Sequence, residues 1–342
     1  MPAISKLEPA LEAQCRRIAA LSMAIQHLAG SAATHEVVEL AEALDAHFGW
    51  EPFGSSPHES AGELDDEPEL FARAALQCIR VAGPEDLHRA IERLPVFPLA
   101  AQRALAVILQ ENWNAREMES LAGSDQALAA HLLRAANSWA HGPLRQIESI
   151  QHAITYLGAD RTSRILYAAS VQPMFSSPGL RDLWHHSVAS AEVAQSLAEV
   201  SGVVDPKKAF LAGLVHDVGA LAMAGLTPTF QTLFRQLTNL GCEPIVAERV
   251  LAGMSHAEVG ARALGAWKFA AEFSDAIRFH HSPERTENRL AALLYLTEQW
   301  TDSSEDLPSA ARFRFAMQAV GLTLQQFEEL TPAMDRMLGS LR

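Results

Sequence analysis

The sequence predicts an all-α fold on three observations. Apolar residues recur at helical spacing along nearly the whole chain. Alternating runs of β-branched and aromatic residues are scarce. Helix start and stop signals follow one another at short intervals.

The elements follow in order. Residues 8–48 read as two amphipathic helices, the second capped by Thr34 and closed by Gly49, and together they define an N-terminal helical segment over 1–50. Residues 51–69 read as a linker: Pro52 to Pro57 interrupt the pattern, and Glu59, Glu63, Asp65, Asp66, Glu67 and Glu69 follow with no Lys or Arg among them. Connecting helices are expected over 70–91, one of them from about residue 68 to about 82 and ending at Gly83-Pro84. Leu94-Pro95-Val96-Phe97-Pro98 then resets the chain direction. Ser124 is expected to cap a segment carrying Leu128, Leu132 and Leu133, and Ile147, Ile150, Ile154 and Leu157 form a stripe ended by Gly158. Ser177-Pro178 and Asp205-Pro206 each place a capping residue before a first-turn proline. Gly253 stops another helix, Ser255-x-x-Glu258 restarts one as a capping box, and two or three helices fill 286–342. No internal repeat or low-complexity segment is found.

Composition sets the class. With 342 residues, 49% hydrophobic and 20% charged, the chain reads as globular, with about two domains, and a disordered or fibrous chain is excluded. Its 27 basic against 41 acidic residues leave a formal charge of −14, which opposes a phosphate backbone and argues against nucleic acid as partner. Cys15, Cys78 and Cys242 show no C-x-x-C spacing, so neither a disulfide framework nor a zinc ribbon is expected. With no basic-then-apolar leader pattern after Met1, a cytoplasmic location is expected. Between Ala209 and Leu226 the only strongly polar residues are His216 and Asp217. That pair would cost several kcal/mol in lipid, roughly 2.5 to 3.5 for the aspartate alone. The stretch therefore reads as a helix buried in protein, without membrane insertion.

Burial makes His216-Asp217 the most informative dipeptide. An aspartate in apolar surroundings needs a cation or several donors to stay ionised, because desolvation favours the neutral acid. A divalent metal shared with an imidazole would satisfy it, and so would a helix terminus or an arginine in an inert core. On the helix after Pro178, His186 shares a stripe with Leu183, Val193, Leu197 and Val200, whereas His185 aligns with Arg181, Glu192 and Glu199. His186 is expected to face inward and His185 to face water. His280 and His281 stand where Ser282-Pro283 ends a helix, so both rings could turn to one site. Glu258 is assigned to capping. Asn137 and Ser138 are expected to stabilise a helix end through backbone bonds, with a ligand contact as the alternative.

The order His186, His216-Asp217, His256, His280-His281 resembles the HD superfamily of metal-dependent phosphohydrolases. A more specific resemblance is to the HDOD family, the HD-related output domain of bacterial signalling proteins. It is carried by Leu94-Pro95 with Pro98, Ser124-Asp125-x-x-Leu128, Leu132-Leu133-Arg134-x-x-Asn137-Ser138 and Ile147-x-Ser149-Ile150-x-x-Ala153-Ile154-x-x-Leu157-Gly158. Trp184-His185-His186-Ser187, the run from Gly213 to Gly219, and His256-Ala257-Glu258-Val259-Gly260 with Trp267 extend it. The resemblance covers about 92–285 and implies an HD-like multi-helix domain there, with additional N-terminal helices before it and C-terminal helices of 286–342 packed on it. The metal ligands it implies fall on His186, His216, Asp217, His256, His280 and His281, with a closing acid near Glu298. Two departures bear on catalysis. Gly219 is followed by Ala220, where catalytic relatives often carry Lys, and His280-His281 lead into Ser282-Pro283-Glu284-Arg285 rather than the Gly-Tyr-Pro of cyclic-dinucleotide phosphodiesterases.

The resemblance thus implies a bacterial signal-transduction output module that binds a signalling protein partner, with a degenerate or non-catalytic HD-type pocket open to a divalent metal or a small nucleotide. The alternative is a phosphohydrolase of the nucleotide or cyclic-dinucleotide class, in which Asp217 is catalytic and one or two ions of Fe, Mn or Zn activate water. A third reading makes the His/Asp set a hydrogen-bonded core network without metal.

Overall fold

The computed structural model describes residues 81–109, 115–138, 146–177, 179–239, 244–301 and 310–341. The expected N-terminal helices, the acidic linker, nearly all of the helix expected up to residue 82, and the three cysteines lie outside the described residues. Every regular element among the described residues is helical, and none is a strand. The chain is therefore all-α, as its periodicity predicts. No helix of the described residues is long and apolar enough to cross a membrane.

In chain order the helices are α1 (Pro84–Glu92), α2 (Leu99–Ile108), α3 (Ala115–Gly123), α4 (Gln126–Asn137), α5 (Ile150–Leu157) and α6 (Ala159–Val171). A 3-10 turn (Gln172–Phe175) leads to α7 (Arg181–Ser201), α8 (Pro206–Val215), α9 (Val218–Ala224), α10 (Pro228–Asn239), α11 (Pro244–Ala252) and α12 (His256–Ala266). Then come α13 (Ala271–Arg278), a 3-10 turn (Pro283–Arg285), α14 (Arg289–Thr301), α15 (Ala310–Ala319) and α16 (Leu324–Leu341). The chain divides into two units, one of residues 1–92 with 222–256 and one of residues 93–221 with 257–342.

Local chemistry explains the boundaries, including those that differ from expectation. Asp125, not Ser124, caps α4, accepting from the N–H groups of Ala127 at 2.7 Å and Leu128 at 3.4 Å. The Ser124 hydroxyl instead turns back to the Leu121 carbonyl at 2.8 Å. Asp205 caps α8 as expected, accepting from Lys207 N–H at 2.8 Å. Helix α7 opens at Arg181 rather than at Pro178, with Leu180 at its N-cap and no side-chain bond there. Gly202 closes α7 in the left-handed conformation, where a Cβ would be strained.

The apolar stretch from Ala209 to Leu226 is two helices, not one. Helix α8 ends at Val215, α9 begins at Val218, and His216-Asp217 form the turn between them. No Gly or Pro marks this break. A buried turn leaves helix-end groups to be satisfied locally, and the Gly213 carbonyl takes its bond from the His216 ring at 2.7 Å.

In the larger unit, α8 is buried from Ala209 to Val215 and α14 from Leu290 to Thr297. Helix α7 packs against both, with Val193, Ala194, Leu197 and Ala198 fully buried. Phe97 stacks on Trp267 at 5.3 Å and meets Phe269 edge-on at 5.0 Å, which fixes the proline-bracketed segment to the end of α12. In the smaller unit, α10 packs on α11, and the N–H groups of Val81 and Ala82 both donate to the Leu251 carbonyl.

Candidate metal centre

Three helices and one turn of the larger unit converge. His186 projects from the first third of α7, His216 and Asp217 form the α8–α9 turn, His280 and His281 follow the end of α13, and Glu298 lies near the end of α14. The orientation expected on α7 holds, since His185 is exposed and the His186 side chain is 20% exposed. Val200 departs from its stripe, being 42% exposed at the helix end.

The ring nitrogens of His186, His216 and His280 are fixed by one device. Each Nδ1 faces a backbone carbonyl: Thr301 at 3.3 Å, Gly213 at 2.7 Å and Ile277 at 2.6 Å. A carbonyl only accepts, so each Nδ1 carries the hydrogen, and in the neutral ring each Nε2 presents a lone pair. These nitrogens are turned to one region. His186 Nε2 lies 3.1 Å from His216 Nε2, and the Glu298 Oε1 atom lies 2.9 Å from His216 Nε2 and 3.5 Å from His186 Nε2. Asp217 spans the cluster, with Oδ2 3.4 Å from His186 Nε2 and Oδ1 3.4 Å from His216 Nε2 and 3.6 Å from His280 Nε2. Ligand atoms of His186, His216 and Glu298 lie within 4.8 Å of one another, as do those of Asp217, His280 and His281. The His281 ring packs on that of His280 at 4.0 Å.

Burial and charge oppose each other here. Burial resists a charge on His186, yet the Glu298 and Asp217 carboxylates overcome it and push its pKa up to about 11. His216 is likewise resisted by burial and raised by Asp217 and Glu298. Burial would raise Glu298, but His216 and His186 hold it well below the usual carboxylate range. Without an ion, the pocket therefore holds protons between imidazole and carboxylate.

The same atoms fit a divalent ion. Separations near 3 Å are what neighbouring ligands adopt when each lies about 2.0 to 2.2 Å from one centre. Backbone-anchored Nδ1–H groups are the outer contacts that orient ligating imidazoles. Mixed imidazole and carboxylate donors suit Fe, Mn or Zn. The His/Asp cluster could therefore hold a metal.

His256 belongs to the smaller unit, as the first residue of α12. Its backbone N–H and Nδ1 both meet Glu248 Oε2, at 2.7 and 2.8 Å, so the carboxylate fixes this ring as the carbonyls fix the others. Sequence reasoning did not single out Glu248. The available signal is a carboxylate that is 5% exposed in the apolar run of α11. Glu258 lies in the first turn of α12. Asn137 is engaged structurally, its Nδ2 donating to the carbonyls of Leu133 and Ile147 at 2.8 and 2.9 Å and its Oδ1 accepting from Ile147 N–H at 2.9 Å. The Ser138 hydroxyl donates to the Arg134 carbonyl at 2.7 Å, the helix-end role expected of it.

A sequence profile described as the HDOD domain matches residues 94–283, more than half of the chain. An uncharacterized protein of Treponema pallidum (strain Nichols) is 26% identical over 204 residues, which cover 56% of this chain and 38% of that protein. The chain thus spans well under half the length of this curated relative. Among solved structures, an HDOD domain protein with unknown function from Geobacter sulfurreducens superposes with a TM-score of 0.64 at 23% identity, covering 75% of this chain and 97% of that one. A "Putative signal transduction protein" from Marinobacter aquaeolei VT8 gives 0.63 at 24% identity, with coverages of 75% and 65%. A "Putative phosphohydrolase" from Shewanella amazonensis SB2B gives 0.59 at 23% identity, with coverages of 75% and 97%. At these identities the likeness is one of fold.

Proposed function

The chain belongs to the HDOD domain family, and from that premise we propose that it is a signal-transduction regulatory domain that acts on a protein partner and holds a divalent ion without robust turnover. The carrying observation is the convergence of the His186, His216 and His280 rings, each anchored through Nδ1 to a backbone carbonyl, on the Asp217 and Glu298 carboxylates. Asp217 joins the two halves of the donor set, and Glu298 closes it from α14. His281 is an additional donor beside His280. Ala220 argues against turnover, since it supplies no cation for a phosphate in the turn after Gly219.

The test is the metal content of untagged protein, wild type against His216→Ala, with and without anaerobic loading by Fe²⁺ or Mn²⁺. One or two equivalents in the wild type, lost in the variant, are expected. No ion in either, even after loading, would overturn the reading. Turnover of nucleotides or cyclic dinucleotides by the loaded protein at roughly 1 to 10³ s⁻¹ would overturn its non-catalytic part.

The completeness of the donor set favours a second reading, a metal-dependent phosphohydrolase. A bound ion would supply Lewis acidity and a water of lowered pKa. In that case the chain's own residues would do three things. His186, His216 and His280 would give nitrogen ligands of fixed tautomer, Asp217 would span the cluster, and Glu298 would close it with a carboxylate oxygen. Asp217→Asn would then abolish turnover with the fold intact, whereas persistent hydrolysis in that variant would refute this reading.

A further inference from the structure

One helical turn away from three of the pocket donors lies a joint of small residues that the metal reading does not use. Ser190 is four residues after His186 on α7, Gly213 is three before His216 on α8, and Thr301 is three after Glu298 on α14. Residues so spaced share a helix face with the donor they follow or precede. The joint is therefore built from the same three elements as the donors, on the matching faces.

Its contacts leave no slack. A Cβ on Gly213 would sit 2.7 Å from the Ser190 carbonyl oxygen, 2.8 Å from Ala191 Cα and 2.9 Å from Ala191 N. All three are backbone atoms, so no side-chain rotation could relieve them, and α8 touches α7 this closely only because residue 213 is glycine. The Ser190 hydroxyl, fully buried, donates to Thr301 Oγ1 at 3.1 Å, which ties α7 to α14. Thr301 Oγ1 in turn donates to the Thr297 carbonyl at 3.2 Å. Two of the joint residues also hold the ligand rings directly, because the carbonyls of Gly213 and Thr301 accept from His216 and His186.

We infer that Ser190, Gly213 and Thr301 are positioning residues that set the aperture of the His186–His216–Glu298 donor set, and through it the size of divalent ion the pocket prefers. The inference rests on the proposal that the pocket holds an ion. Packed helices move as units, so separating α7 from α8 at Gly213 carries His186 away from His216 one turn along. Bringing the 2.7 Å approach out to an ordinary contact requires about 0.7 Å of separation. Against a donor spacing of 3.1 Å, that shift favours a larger ion over a smaller one.

The experiment measures dissociation constants of the full chain for Mn²⁺, the larger ion, and Zn²⁺, the smaller, by competition with a chromogenic chelator. Wild type, Gly213→Ala and Ser190→Ala are compared. Gly265→Ala is the control, since a Cβ there meets nothing within 4 Å. Folding is checked by helical circular dichroism and a cooperative urea transition. A shift of about tenfold or more in the Zn²⁺-to-Mn²⁺ preference toward Mn²⁺ is expected in Gly213→Ala, a smaller shift of the same sign in Ser190→Ala, and none in the control. A merely structural role would lower the urea midpoint and leave the preference unmoved. An unchanged preference in the folded variants overturns the inference, and Ser190→Ala decides if Gly213→Ala does not fold. A wild type that binds neither ion overturns the metal reading itself, and this inference falls with it.

Discussion

Loading the pocket with a divalent ion should remove a pH dependence of stability that the ion-free protein shows above neutrality. His186 has its pKa raised from 6.5 to about 11 in the folded chain. A raised folded-state value means that the stabilisation is fully present below about pH 6.5 and is lost as pH rises through about 11. Within that window the folded state holds more protons than the unfolded one, so stability falls by about 1.4 kcal/mol per pH unit for each proton retained. His216 shifts in the same direction, but two Nε2 atoms 3.1 Å apart have room for one hydrogen between them. One retained proton is therefore the number to use. From about pH 7 to about pH 8.5 the ion-free protein should lose about 2 kcal/mol. In the loaded protein the ion takes the nitrogen lone pairs, the proton has already left, and this decline disappears. The assay is urea unfolding at a series of pH values, in EDTA and in excess Mn²⁺, with the midpoints compared at constant slope. Other titrating groups contribute equally to both series and cancel in their difference. Parallel pH profiles with and without the ion would refute the argument that the proton and the ion share one position.

Three further predictions concern the scaffold. Asn137→Ala should cost about 2 to 4 kcal/mol, because it removes three hydrogen bonds and orphans both backbone groups of Ile147, which is 1% exposed; a loss under about 1 kcal/mol in urea unfolding would show that the clamp is dispensable. Lys268 adopts φ 62° as the left-handed residue of a Schellman motif, in which Phe269 N–H reaches the Leu264 carbonyl and Lys268 N–H the Gly265 carbonyl. Lys268→Gly should therefore stabilise the chain by about 0.5 to 1 kcal/mol, and an unchanged or lower melting temperature would count against this. Tyr167 is fully buried and its hydroxyl has no hydrogen-bond partner among the described residues, so Tyr167→Phe should be neutral or stabilising by about 1 kcal/mol; a loss of that size in thermal unfolding would mean that the hydroxyl is satisfied in solution.

What was legible in the sequence is what depends on near neighbours. Helical periodicity survives in every described element, and Asp205 before Pro206 caps a helix as its chemistry dictates. The single-residue error at Ser124-Asp125 arises because both side chains can cap, and only the path of α3 decides which one faces the α4 amides. The break at His216-Asp217 carries no local mark, because what holds it is a ring-to-carbonyl bond and a set of partners 30 to 82 residues away in sequence. The site followed the same division. His216 and Asp217 could be named because ionisable groups in apolar sequence demand an explanation, His186 because it shares an apolar stripe, and His280 and His281 because a helix ends beside them, whereas His256 and Glu298 could be named only through the family resemblance. Ser190, Gly213 and Thr301 could not, since a serine, a glycine and a threonine acquire meaning only when three helices bring them together. Glu248 lies between these cases, a buried carboxylate whose partner stands eight residues on, across a helix end.

The contrast between holding an ion and using it can be argued from these same contacts. The donors come from four places in the chain, α7, the α8–α9 turn, the end of α13 and α14, so an ion bound among them would cross-link all four. Such a ligand stabilises the folded state in proportion to the logarithm of its free concentration over its dissociation constant, about 2.7 kcal/mol at a hundredfold excess. Removing it leaves protons to bridge imidazole and carboxylate in its place, and the arrangement becomes sensitive to pH. On the reading proposed above the ion is held without robust turnover, and Ala220, the third residue of α9, offers no cation to a phosphate. Under the reading proposed above, such a domain would change its rigidity when the ion or the proton changes. That is the kind of response a partner protein can read without any bond being made or broken.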